Sequence, residues 1–256
     1  MLKRLAALAA ALLLATPASA AGEKADLLIR HATIVDVAGG RTVPNQAVAV
    51  VDAAGKYVMP GLWDMHMHFG GGPELVEENR NLLPVYVAYG VTSVRDAAAD
   101  ISDSVLEWRC EVANGTLLGP TIYTSGPKLE GYDPLWKGTI EVGTPAEVDA
   151  ALDRLQAMDV DFVKITDNTL KPDIFLYAVK AAEAHGLKTS AHTPYALTIL
   201  EAAEAGLSSV EHIDYLIKAG SPAEAEIGAA YVAGKLTYGE ASDRFVETFD
   251  PAYALG

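Results

Sequence analysis

Two histidines separated by a single residue, His66 and His68, stand in the stretch Val58-Met59-Pro60-Gly61-Leu62-Trp63-Asp64-Met65-His66-Met67-His68-Phe69. Such a pair cannot share one face of a helix, but along a strand alternate side chains point the same way. The pattern predicts Trp63, Met65, Met67 and Phe69 on one face and Asp64, His66 and His68 on the other. Imidazole is the commonest protein metal ligand, so the pair is either half of a divalent site or two ordinary half-buried histidines. Three further residues bear on the choice. Lys164 stands near the end of the otherwise apolar run 161–165, His192 closes 189–192 and His212 closes 210–212. Each lies at the carboxyl end of a different predicted strand, where enzymes built on parallel sheets carry their active sites. A lone lysine there snorkels to solvent, pairs with an acid, or loses its charge on burial. In the last case its amine can add carbon dioxide, giving an anionic carbamate able to bridge two metal ions. Four histidines and one lysine at strand ends favour the metal. His31 and His185 fall outside the pattern, as a loop or strand-end residue and a helix-end residue.

The elements that must position these side chains alternate. Strand candidates after the His-x-His strand are 92–95, 121–125, 161–165, 188–192 and 209–212. Helical patterns fill the gaps. One opens with the capping box Thr144-Pro145-Ala146-Glu147 and runs to about Met158. A second spans about 172–185 before Gly186, and a third follows Thr193-Pro194 and stops at Gly206. Strands alternating with helices imply an α/β fold with a parallel sheet, a TIM-like (β/α)8 barrel that is incomplete because only about six strands are visible. Upstream, 27–29, 33–35 and 47–51 read as short strands, with turns at Gly39-Gly40 and Pro44-Asn45. Residues 21–56 are therefore expected to form part of a small β-domain, and 57–256 the barrel.

Composition narrows the class. At 256 residues, half of them hydrophobic, the chain can bury a sizeable core. A formal charge of −15 argues against nucleic acid as a partner, since phosphate-binding surfaces are rich in Lys and Arg. Cys110 is the single cysteine, which excludes an intrachain disulfide and a thiolate cluster. Residues 1–20 read as a secretory signal: Lys3 and Arg4, an apolar run over 5–15, and Ala18-Ser19-Ala20 as the cleavage site. That run is too short for a membrane anchor, which needs about twenty apolar residues. The expected product is secreted or periplasmic, with a charge of −17 once Lys3 and Arg4 are removed from −15.

On these motifs the chain resembles the amidohydrolase superfamily, in its imidazolonepropionase-like and Xaa-Pro-dipeptidase-like branch. The resemblance is carried by residues 52–68, Gly90-Val91-Thr92-Ser93-Val94-Arg95-Asp96, Phe162-Val163-Lys164-Ile165, Ser190-Ala191-His192 and Val210-Glu211-His212, in that order. It implies two zinc ions. His66 and His68 would bind the more buried one, N-carboxylated Lys164 would bridge both, and His192 and His212 would bind the second. It further implies hydrolysis of carbon–nitrogen bonds in a small-molecule amide, cyclic amide or dipeptide by a metal-activated water. An aspartate ending the eighth strand would carry the proton. No strand ending in such an aspartate follows His212, and Asp243, Glu247 and Asp250 fall in helical or loop contexts. The catalytic acid–base is therefore unknown, and the chain is expected to be truncated before strands seven and eight. Two functions follow: a metal-dependent amidohydrolase, or a catalytically inactive metal-binding fragment of one.

Specificity in such folds lies in loops after the strands, so 128–136, 166–171 and Tyr195 are the candidates. Lys128 or Arg95 is either the partner of a substrate carboxylate or a structural charge. Gly70-Gly71-Gly72 lacks the lysine of a phosphate loop and reads as a flexible loop beside the site.

Overall fold

The structure, a computed structural model, describes residues 28–30, 32–36, 39–46, 50–52 and 55–255. The expected signal segment 1–20, Leu27, His31 and residues 47–49 lie outside the described residues. The chain divides into two compact units, one ending at Pro60 and one beginning at Gly61.

The first unit contains five short strands: β1 (Leu28–Arg30), β2 (Ala32–Asp36), β3 (Arg41–Gln46), β4 (Val50–Asp52) and β5 (Tyr57–Val58). β1 pairs with β4, and β2 lies between β3 and β5. Of the two turns read at Gly39-Gly40 and Pro44-Asn45, only the first is a turn. Asp36 accepts from the Gly39 N–H (2.9 Å) and from Arg41 Nε (3.0 Å), with Gly40 at φ 59°. The second lies in β3, whose Pro44 and Asn45 fall where the pairing with β2 shifts by a residue between Ala32 and Ile34. A bulge tolerates a proline and a left-handed asparagine that a regular ladder would reject, and so the sequence signal misleads there.

The second unit alternates strand and helix. Its elements are β6 (Leu62–Met67), α1 (Val76–Ala88), β7 (Val91–Asp96), α2 (Ser102–Ala113), β8 (Thr121–Thr124), β9 (Lys128–Glu130), β10 (Thr139–Glu141), α3 (Pro145–Ala157), β11 (Val163–Ile165), α4 (Pro172–Ala184), β12 (Thr189–Ala191), α5 (Ile199–Glu204) and β13 (Ser209–Val210). Four helices follow: α6 (Ile213–Ala219), α7 (Glu224–Val232), α8 (Tyr238–Glu247) and α9 (Pro251–Ala254). All pairings in this unit are parallel, in two sheets ordered β6-β7-β8 and β10-β9-β11-β12-β13. Asp161 joins them: its N–H donates to the Thr124 carbonyl (2.9 Å) and its carboxylate accepts from the Thr124 N–H (2.8 Å). The α/β class with parallel strands is as the sequence predicts. The strands are short, and no closed barrel is present among the described residues.

Helices pack on the outer side of each sheet. Leu83, Trp108, Val94 and Ile122 fill one core, and Leu152, Leu155, Phe175, Val179 and Val163 another. The Thr144 hydroxyl accepts from the Glu147 N–H (3.3 Å) at the start of α3, as its sequence requires. α5 starts later than its pattern suggests, at Ile199, because Thr198 and Glu201 form a reciprocal capping box. Beyond β13, breaks at Gly220 and Gly234 separate α6, α7 and α8.

Candidate active site

The histidine strand does not alternate as its sequence suggests. Asp64 pairs with Val94 and Met67 with Asp96, so two residues of β6, Met65 and His66, oppose the single Arg95 of β7. This β-bulge re-aims everything before it. Met67 and Phe69 enter the core under the helices, but Trp63 and Met65 are half exposed, and the Trp63 ring stacks on Tyr123 at 5.1 Å. Asp64 shares the helix side with Val94, close enough to Tyr86 to raise that phenol after burial has done so. Asp64 Oδ1 accepts from the His66 backbone N–H (3.1 Å), and its carboxylate makes no hydrogen bond to an imidazole.

His66 Nδ1 donates to Glu211 Oε2 at 2.5 Å, and His68 Nδ1 donates to the Ala98 carbonyl at 2.9 Å. With both Nδ1 atoms committed, the Nε2 lone pairs face each other at 3.1 Å. His192, whose N–H donates to the Ile165 carbonyl, and His212 repeat the motif, with Nε2 atoms 3.1 Å apart. The two pairs meet where the His66 and His212 rings approach to 4.6 Å. Two backbones here adopt left-handed φ without glycine, Ala98 at 124° and His212 at 65°. Strain of this kind collects at sites where the surroundings dictate a side-chain or carbonyl direction.

Lys164 in β11 is 1% exposed, and its Nζ has no hydrogen-bond partner. Burial lowers its pKa to about 7; Glu211 works against that and Arg95 with it. Burial, and then the charges of Lys164, His212 and His66, hold His192 far below the ordinary imidazole range. Burial alone would push the Glu211 carboxyl up. Hydrogen bonds from His66 and Ser190, with the charges of Lys164 and Arg95, outweigh it and hold the group well below the usual carboxylate range.

His68, Lys164, His192 and His212 line one cavity of about 340 Å³, with Lys128 and Trp136 on its rim and wall. The structure therefore brings all five residues singled out by the sequence to one place. Among the described residues no three His, Cys, Asp or Glu side chains are spaced to hold a single ion. The imidazoles come in pairs, and a further nitrogen lining the same cavity is that of Lys164.

Two acids escaped the sequence reading. Glu211 accepts from His66, Ser190, Ser209 and Arg95, the last at 2.6 Å. Its signal was there: an acid directly before a strand-end histidine. Asp167, two residues past β11, has Oδ1 3.7 Å from His192 Nδ1 and accepts from the Tyr215 hydroxyl. Burial raises its pKa to about 6, against that hydrogen bond. Arg95, a candidate for a substrate carboxylate, is occupied by Glu211, Ser209 and the Met65 carbonyl. The glycine loop is held rather than loose: the N–H groups of Gly70 and Gly71 donate to Asn79 and Asp100.

No family model matches the chain. An ochratoxinase of Aspergillus niger is 30% identical over 126 residues, 41% of this chain and 25% of that protein. A dihydroorotase of Pelobacter propionicus is 38% identical over 79 residues, 30% of this chain and 18% of that protein. The matched stretches thus span a quarter or less of the curated relatives' length. A Bifidobacterium longum chain assigned as a prolidase superposes with a TM-score of 0.64 at 19% identity, over 87% of this chain and 68% of its own. At that identity the likeness is one of fold. The relatives and neighbours point to the amidohydrolase superfamily. Those named amidohydrolase, dipeptidase and deaminase are enzymes that act on carbon–nitrogen bonds.

Proposed function

We propose that the chain is a metal-dependent amidohydrolase that cleaves a carbon–nitrogen bond of an amide, cyclic amide or dipeptide, with β6, β7, β8, β11, β12 and β13 as six strands of a (β/α)8 barrel. One observation carries this reading: four imidazoles, their Nε2 atoms facing one another in two pairs, stand at the cavity that a buried lysine amine without a hydrogen-bond partner also lines. The donor set suits divalent zinc. Imidazole nitrogens are ordinary zinc ligands, each pair lacks a third anionic donor, and an amine near neutrality can supply one as a carbamate. His66 and His68 would hold one ion, His192 and His212 the other, with Lys164 between them. A zinc centre of this kind supplies a nucleophilic water at neutral pH and polarises the scissile carbonyl. The chain's own residues orient the ligands: Glu211 fixes the tautomer of His66, and Ala98 that of His68. On the same reading the chain is exported, as residues 1–20 suggest.

A specific observation favours the second reading, metal binding with little turnover. Glu211 is saturated by Arg95, Ser190 and His66, and Asp167 is held by Tyr215. Glu211 is therefore not free to move a proton, and lack of a positioned base typically lowers rates by about 10² to 10⁴. Elemental analysis after dialysis separates the possibilities in stages. The parent should retain about one to two zinc equivalents, the number its donor pairs can serve. His66→Ala, His192→Ala and Lys164→Ala should each retain less, and bicarbonate should speed reconstitution of the parent only. A parent without metal sinks the assignment, and Lys164→Ala with full metal makes the lysine structural. Assay of the metal-loaded parent against dipeptides and cyclic amides then decides between turnover and mere binding.

A further inference from the structure

Hydrogen bonds at Nδ1 aim the first pair of imidazoles, from His66 to Glu211 (2.5 Å) and from His68 to the Ala98 carbonyl (2.9 Å). His192 Nδ1 has no such bond among the described residues. It stands 3.7 Å from Asp167 Oδ1, beyond hydrogen-bond length, while Nε2 faces His212. What His192 has instead is a ring against its face. Tyr215 stacks on it with centroids 5.6 Å apart and planes 17° from parallel. Sequence spacing places that ring: His212 stands at the start of α6, and Tyr215, three residues on, returns to the same side one turn later. The Tyr215 hydroxyl donates to Asp167 Oδ1 (3.2 Å), so the same side chain also holds the carboxylate beside the Nδ1 edge. Tyr215 is itself fixed. It is 6% exposed and meets Tyr195 edge to face at 6.4 Å. Tyr195 in turn stacks on Tyr238 (4.6 Å) and meets Phe245 (5.2 Å), both of α8.

We propose that Tyr215 is a positioning residue for His192. Its ring sets the plane of the imidazole, and its hydroxyl holds Asp167 where the carboxylate keeps the ring proton on Nδ1 and leaves Nε2 free. The torsion that turns an imidazole is broad, so a ring without a hydrogen bond swings unless something covers its face. A nearby carboxylate favours the tautomer with N–H towards it over the one with a lone pair towards it. The role rests on the metal-dependent reading above, and it gives α6 and α8 a part in the site that their distance from the donor atoms conceals.

Nitrogen-15 and proton NMR of the full chain, with and without added zinc, reads which ring nitrogen of His192 carries the proton. The parent should show Nδ1–H in both states, with the His192 ring protons shifted upfield by the tyrosine ring current. Tyr215→Leu should lose that shift and give mixed tautomers without zinc. Tyr215→Phe should keep the shift and lose the tautomer preference. Chelator competition with cobalt(II) as the probe should show Tyr215→Leu binding about twofold to tenfold more weakly, the range a stacked aromatic pair supports, with a changed visible spectrum. Mixed tautomers in the parent, or a folded Tyr215→Leu with the parent's tautomer and cobalt spectrum, overturns the proposal. If Tyr215→Leu does not fold, Tyr215→Phe decides, and an unchanged tautomer preference there overturns it. A parent whose His192 tautomer depends on Tyr215 but which retains no metal fails the metal-dependent reading and keeps the positioning role. A parent that binds metal no better than a folded Tyr215→Leu of unchanged spectrum does the reverse.

Discussion

At the residue scale, the arrangement turns on Glu211. Its carboxylate joins the first and last strands of the larger unit's strand series, accepting from His66 in the bulge of β6 and from Arg95 of β7. An acceptor on Nδ1 leaves Nε2 as the coordinating atom and raises its basicity. Glu211→Gln keeps size and one acceptor oxygen, but its amide group would face the Arg95 guanidinium, donor against donor. Zinc should therefore bind about tenfold to a hundredfold more weakly, as with other outer partners of metal-bound histidines. Competition against a chelator measures it, with far-UV circular dichroism to show that the fold persists. Unchanged zinc affinity would confine Glu211 to holding Arg95. The five strand-end residues were legible because histidine and lysine stand out in apolar strands. Glu211 was not, since an acid before a histidine also reads as surface, and only the pairing of distant strands reveals its partners.

At the element scale, alternation was legible and register was not. Periodicity finds the strands that carry the histidines and the lysine but not β9 and β10, the first of which lies in the stretch 128–136 read as a loop; a bulge likewise leaves no mark in a single sequence, so the face of Asp64 is not legible there. The end of the same strand is held by Asp96. Its carboxylate accepts from the Phe69 N–H (3.2 Å) and the Thr124 hydroxyl (2.6 Å), tying β6, β7 and β8 together. Burial raises its pKa from 3.8 to about 7, with the Thr124 and Phe69 hydrogen bonds opposing. The folded state then binds a proton that the unfolded chain has released, so this residue's contribution to stability falls as pH rises from about 4 to about 7. The slope is at most about 1.4 kcal/mol per pH unit and flattens above that range. Urea unfolding of the parent and Asp96→Asn at pH 5 and pH 7.5 isolates it. The parent should lose more stability than the variant between the two pH values; equal losses would mean that Asp96 titrates normally.

At the scale of the whole molecule, charge and sheet edge oppose each other. Among the described residues, β6 and β13 each have a strand partner on one side only. β6 also presents Leu62, Trp63 and Met65, each about half exposed. A one-sided strand with apolar side chains is a template for pairing with another copy. The formal charge of −15 resists that encounter through long-range repulsion between copies. Repulsion of exposed charges depends on the Debye length, about 30 Å at 0.01 M salt and about 3 Å at 1 M, whereas apolar contact does not. Self-association of this 256-residue chain should therefore increase with salt, the opposite of a contact made by complementary charges. Sedimentation velocity across that range of ionic strength measures the trend. Trp63→Glu should weaken association at every salt concentration, because it places a charge where the edge would be covered. Association that declines with added salt, or that ignores Trp63→Glu, would move the contact away from β6.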